Sequence, residues 1–145
     1  MKIPIKRDVL YVCTPYSGDI ERNVQRTKAV CSVLSNLGYL PIAPHLFYTQ
    51  FLNDRISEER KIGTECGLQQ LHDAMAIVVV GDDEGKISRG MIQEIVFASY
   101  QQIQIIHFST MDAFVNKARD IKDYLKVCPQ FTGSIKEMEL YIYVE

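Results

Sequence analysis

Short apolar runs alternate with amphipathic stretches along the first three-quarters of the chain. Residues 8–13 (Asp-Val-Leu-Tyr-Val-Cys) are β-branched and aromatic and stop at Thr14-Pro15. They are apolar on both faces, which predicts a central strand. Val24, Ala29, Val30, Val33, Leu34 and Leu37 recur at helical spacing, so a helix is expected over about 20–37. Asp19 or Ser17 can cap it, and Gly38 ends it. Residues 39–42 read as a second strand, 74–80 as a third and the most apolar, and 103–108 as a fourth. Helices are expected over 57 to about 73, where Ser57, Glu58 and Glu59 supply a cap and first-turn acidity, and over 88–100. A further helix starts at Thr110-Met111-Asp112, with Phe114, Ala118, Ile121, Tyr124 and Leu125 on one side, and ends before Pro129. Residues 140–144 alternate weakly, as an edge strand or one that pairs with another chain.

Residues 43–56 fit no simple period. Pro44, His45, Phe47, Tyr48 and Phe51 argue for a loop with a short helical turn. A connector of that length in a compact domain is usually functional or lid-like.

Strands alternating with helices predict a mostly parallel α/β sheet. In such sheets ligands bind beyond the carboxyl ends of the strands, at a switch in strand order. Three connections fall at that edge: 14–19, 43–56 and 81–88. They carry most of the unusual residues.

Composition narrows the function more than the fold. The 145 residues suit one domain, with 47% apolar and 23% charged residues and a net charge of −2. No basic excess marks a nucleic-acid footprint, and Lys2, Lys6 and Arg7 read as a solvated flank. Cys13, Cys31, Cys66 and Cys128 form no CxxC and no metal spacing, so no metal or cofactor is expected. Cys13 and Cys31 read as buried thiols. No signal peptide and no run near the ~18–20 apolar residues of a membrane span is seen, so a reduced, cytoplasmic setting is expected.

The chemistry concentrates in Ser88-Arg89-Gly90-Met91-Ile92-Gln93-Glu94. On a helix, Glu94 falls between Phe97 and the stripe Met91, Ile95 and Ala98, so its carboxylate lies on the face due to be buried. Burying it costs several kcal/mol, roughly, unless it is paired or used. Ser88 can cap this helix and donate its hydroxyl to an anion, while Gly90 allows close approach. Glu94 can then attack a sugar carbon, or it can simply be satisfied by backbone donors or an arginine. In the first loop, Ser17 and Gly18 let the backbone approach an anion, with Arg22 one turn into the helix. Plain helix capping is the alternative there.

Residues 12–19 (Val-Cys-Thr-Pro-Tyr-Ser-Gly-Asp), 41–45 (Pro-Ile-Ala-Pro-His) and the Ser88-x-Gly90-Met91-x-x-Glu94-Ile95 pattern occur in one order. Together they resemble the nucleoside 2-deoxyribosyltransferase-like superfamily, closest to its short bacterial and phage branch, over about residues 8–108. The resemblance implies a flavodoxin-like (Rossmannoid) three-layer α/β fold, usually dimeric or higher, that cleaves N-glycosidic bonds of nucleosides or nucleotides. It places the nucleophile at Glu94. It also implies that a Ser six residues before the nucleophile, here Ser88, goes with 5′-monophosphates, where an Asp goes with free nucleosides. The physics agrees, since a hydroxyl at a helix start accommodates a phosphate and a carboxylate repels it.

The expected ligand is therefore a nucleotide, with Tyr16, Ser17, Gly18, Ser88 and Gly90 around its phosphate and sugar and Arg22 or Arg89 as countercharge. His45, Met91 and Glu65 are expected to touch base or sugar, although a lone His is more often structural. The family's second acid falls near Gly67, and another falls where Met75 stands. Glu65 and Asp73 are off that register, and Asp82 and Asp83 read more simply as an exposed loop. A protein that binds nucleotides or sequesters a nucleotide signal without turnover is the alternative function, and an assembly role around a relic pocket a third.

Overall fold

The computed structural model describes residues 6–126. The expected strand over 140–144, and Cys128, lie outside those residues.

Val9–Cys13 (β1), Leu40–Ile42 (β2), Ala76–Val80 (β3) and Gln104–Phe108 (β4) form one parallel sheet in the order β2-β1-β3-β4. This is an α/β, flavodoxin-like three-layer fold. The strand order reverses between β1 and β3, which puts the connections after those strands side by side at the switch point.

Alternation along β1 sorts the core into two layers. Leu10 and Val12 face Val30, Leu34, Phe114 and Ile121 on one side of the sheet. Tyr11 and Cys13 face Leu71, Met91 and Ile95 on the other. Helix α1 (Ile20–Asn36) therefore backs the first face, with α5 (Met111–Lys117) and α6 (Ile121–Lys126). The second face carries α3 (Ser57–His72) and α4 (Arg89–Tyr100). All five residues of β3 are buried, as a strand covered on both faces requires.

Several boundaries differ from the sequence reading, each for a local reason. Strand β3 starts at Ala76 because Ala74 N–H still bonds back to Leu71 O at the end of α3. The cap of α3 is Ile56, whose side chain makes no capping bond, so Ser57 is the first helical residue and not the cap. The last helix is interrupted by a 3₁₀ turn, Ala118–Asp120, between α5 and α6. Beyond that turn the Gln104 side-chain amide donates to the Tyr124 carbonyl, tying α6 to β4. Gly38 takes φ +100°, as expected of a helix-ending glycine. The 43–56 segment holds a one-turn helix, α2 (Pro44–Phe47), and a 3₁₀ turn, Tyr48–Gln50.

Candidate functional site

The loop after β1 is fixed from below by polar residues of α1. Asn23, nearly buried, donates its amide to the Tyr16 and Ser17 carbonyls at 3.1 and 2.9 Å. Thr27 bonds the Thr14 hydroxyl at 2.7 Å and donates to the Asn23 carbonyl. Asp19 caps α1 by accepting from the Arg22 N–H at 3.2 Å. The backbone of Tyr16 and Ser17 is thus held at the sheet edge by α1.

At the neighbouring edge, Ser88 caps α4, its Oγ accepting from Met91 N–H at 3.3 Å. A hydroxyl that accepts from the backbone keeps its own proton to donate. One turn on, the Glu94 side chain lies 13% exposed beside Met91 and Ile95.

These elements enclose a cavity of about 340 Å³ roofed by the 43–56 segment and the first half of α3. Glu94, Ser88, Gly90, Met91, Tyr16, Ser17 and His45 all line it, so most of the residues singled out from sequence converge. The Tyr16 and His45 rings stack, with centroids 4.8 Å apart and planes 21° apart. That pair forms a flat wall beside the carboxylate.

The electrostatics are unusual at Glu94. Burial pushes its carboxyl up to about 7, and a hydrogen bond from the Tyr11 hydroxyl pulls the other way without restoring the ordinary value. His45 Nε2 lies 3.8 Å from Glu94 Oε1. Burial holds the imidazole below its usual range, against the opposing pull of Asp54, so at neutral pH it is a neutral neighbour rather than a countercharge. The Tyr11 phenol is itself pushed well up, first by burial and then by the Glu94 charge, so it remains a donor.

Four expected site residues are elsewhere. Arg22 turns away from the cavity and binds Asp83 at 2.5 Å across a neighbouring depression, where Arg26 binds the same carboxylate. Gly18 does not line the cavity, and its φ of +93° shows that it serves the turn into α1. Arg89 and Glu65 are exposed and off the cavity wall, because they lie on the outer faces of α4 and α3.

The acids suggested for the β3–α4 loop also have other work. Asp82 accepts from the Glu84 and Lys86 N–H groups at 2.9 and 2.8 Å and builds the turn, and Asp83 holds the two arginines. At Gly67 a Cβ would stand 3.3 Å from Pro44 Cγ and 3.4 Å from the Tyr11 oxygen. A side chain at the place expected for a second acid would therefore press on Pro44, which would have to give by a few tenths of an ångström.

Sequence reasoning missed Tyr11, Tyr48, Asp54, Glu59 and Arg60, which all line the cavity. Tyr11 carried a usable signal, since a phenol in a strand buried on both faces needs a partner for its hydroxyl. The other four sit where the roof folds back over the sheet edge, which no local pattern reveals. Among the described residues Arg60 is the one arginine or lysine on the cavity wall. No group of three or more His, Cys, Asp or Glu is placed to hold a metal ion among the described residues, and no helix there is long and apolar enough to cross a membrane.

Residues 8–108 match the model of a family described as a domain of unknown function, DUF7768. No curated protein matches the chain.

Proposed function

The chain belongs to the DUF7768 family, and from the geometry of its cavity we propose that it cleaves the N-glycosidic bond of nucleoside 5′-monophosphates, with Glu94 as nucleophile. The observation that carries this is the desolvated Glu94 carboxyl, held by a neutral donor instead of a cation, on the wall of a cavity that also presents a flat ring pair and the serine-capped start of α4. An acid placed this way keeps its charge available for a cation that develops on the ligand.

In the reaction, a Glu94 oxygen bonds to C1′ as the C1′–N bond breaks, through an oxocarbenium-like transition state. The bond's electron pair leaves on the base, which takes a proton from water. Water then attacks C1′, giving the free sugar phosphate and restoring Glu94. The flat wall of Tyr16 and His45 suits a base or the sugar face. Ser17 and Ser88 hydroxyls and the N–H groups that open α4 suit the phosphate. Arg60 takes the countercharge role that Arg22 and Arg89 do not fill.

The test is incubation with a panel of nucleoside 5′-monophosphates and free nucleosides, read by chromatography for released base. Release from a monophosphate, lost in Glu94→Gln, supports the proposal. The same trace for wild type and variant on every substrate removes it.

A second reading is binding without turnover. A carboxyl pushed up to about 7 has both its protonated and its ionised forms within reach near neutral pH, so it can donate and accept hydrogen bonds with ribose hydroxyls. Strong thermal stabilisation by a nucleotide with no base release favours this reading.

A further inference from the structure

A second depression adjoins the cavity, and Ser17 lines both. Its floor holds Arg22 and Arg26, one turn apart on α1, and both guanidiniums grip the Asp83 carboxylate. The Arg26 side chain is only 16% exposed, whereas Arg22 and Asp83 are 60% and 55% exposed. Arg26 is therefore the built part of the cluster, and Arg22 and the carboxylate close over it from the solvent side.

The loop that carries Asp83 is closed by its own hydrogen bonds. Asp82 ties it with two side-chain bonds, and the backbone closes it through Gly85 N–H to Asp82 O at 2.9 Å and Asp82 N–H to Lys86 O at 3.0 Å. Gly85 sits at φ +78°. A Cβ on Gly81 would stand 2.4 Å from the Ser109 carbonyl oxygen, so only glycine fits the base of the loop.

The other carboxylates around the depression are committed. Asp82 is spent on its own loop, Asp19 on the N–H of Arg22, and Glu84 on Lys86 at 2.9 Å. Asp83 is the anion left to the arginine pair. Two guanidiniums sharing one oxyanion is also how arginines hold a phosphate.

We propose that Arg22 and Arg26 form a second anion subsite continuous with the cavity at Ser17, and that Asp83 is a tethered carboxylate that fills it. This rests on the proposed function only for what enters from the cavity side. A monophosphate seated at Ser17 and Ser88 stops short of the bridge. A diphosphate or triphosphate tail runs on toward the arginines and meets Asp83, which repels it. Asp83 is then the residue that restricts the ligand to a single terminal phosphate.

The test replaces Asp83 by Asn and, in parallel, by Ser, and measures binding of inorganic pyrophosphate by calorimetry. Both variants are expected to bind it about tenfold or more tightly than wild type, and adding Arg26→Gln removes the gain. An affinity within roughly twofold of wild type, or a gain that survives loss of Arg26, overturns the inference. If the neutral variants fold only with an anion present, pyrophosphate rescues them where sodium chloride of equal ionic strength does not. Failure of that rescue equally overturns it.

Nucleoside mono- and diphosphates of one base form the second arm, with the gain expected for the diphosphate alone. An equal gain for both overturns the role in selectivity. Pyrophosphate gain with no nucleotide binding to any form leaves the subsite standing and removes the proposed function. Monophosphate binding with no pyrophosphate gain does the reverse.

Discussion

Two acidic side chains on either side of Ser17 have opposite surroundings. Asp83 is half-exposed and carries two arginines. Glu94 is nearly buried and has a phenol and a neutral imidazole. Arg22 and Arg26 are committed to the loop, and the one arginine of the cavity wall among the described residues, Arg60, makes no ion pair with the buried acid. Compensating an exposed carboxylate brings little stability, and leaving a buried one uncompensated costs much more. An arrangement that runs against stability in this way supports the proposed role of Glu94. The comparison separates an acid tied into the architecture from one that we propose serves chemistry, and the following experiments break or sharpen that division.

The largest effect is expected at Glu94 itself. Glu94→Gln keeps the shape and removes the proposed nucleophile, and base release should fall about a thousandfold or more, read in single-turnover assays with folding checked by circular dichroism. Asp83→Asn should leave base release from a monophosphate within about threefold of wild type. Comparable losses at both positions would erase the distinction.

Stability should move the other way. The Glu94 carboxyl rises from an ordinary 4.5 to about 7 in the fold. Between those values the folded chain binds more protons than the unfolded one, so stability falls as pH rises through the window and stays low above it. At pH 8 the penalty is on the order of 3 kcal/mol. Glu94→Gln should therefore raise Tm by roughly 5–10 °C at pH 8 and by little at pH 4. Differential scanning calorimetry across that range reads it, and an equal shift at both ends would show that charge is not the cause.

Next in size is Gly81→Ala, whose Cβ would meet the Ser109 carbonyl at 2.4 Å. A loss of about 2 kcal/mol or more in urea unfolding is expected, because backbone rather than a side chain must yield. Tyr11→Phe should be milder in stability but specific in chemistry. It removes the donor that steadies the ionised form of Glu94, so the ascending limb of the pH–rate profile should move up by about one unit. Arg22→Gln, which breaks an exposed pair, should cost about 1 kcal/mol or less.

The sequence carried the parts of this site that depend on one element. Ser88 as a cap and Glu94 on the inner face follow from helical spacing, and β3 follows from an apolar run with no polar position. The resemblance grouped Tyr16, Ser17 and Ser88 around one ligand, and the strand order that puts 14–19 beside 81–88 came with the structure. What was hidden depends on elements meeting. Arg22 lies one turn into α1, where a phosphate ligand was expected, but Asp83 comes from another loop 61 residues away and takes it. Tyr11 read as core until α4 crossed above it and brought Glu94 to its hydroxyl. Asp54, Glu59 and Arg60 belong to a roof whose mixed proline, aromatic and polar sequence has no period to place it.

The direct measurement of the central claim is an NMR titration of the Glu94 side-chain carboxyl carbon in the folded protein, assigned by comparison with Glu94→Gln. The account predicts a midpoint near 7, and higher still in Tyr11→Phe. A midpoint near 4.5, unmoved by loss of the phenol, would mean that the carboxylate is solvated or paired, and would contradict the account.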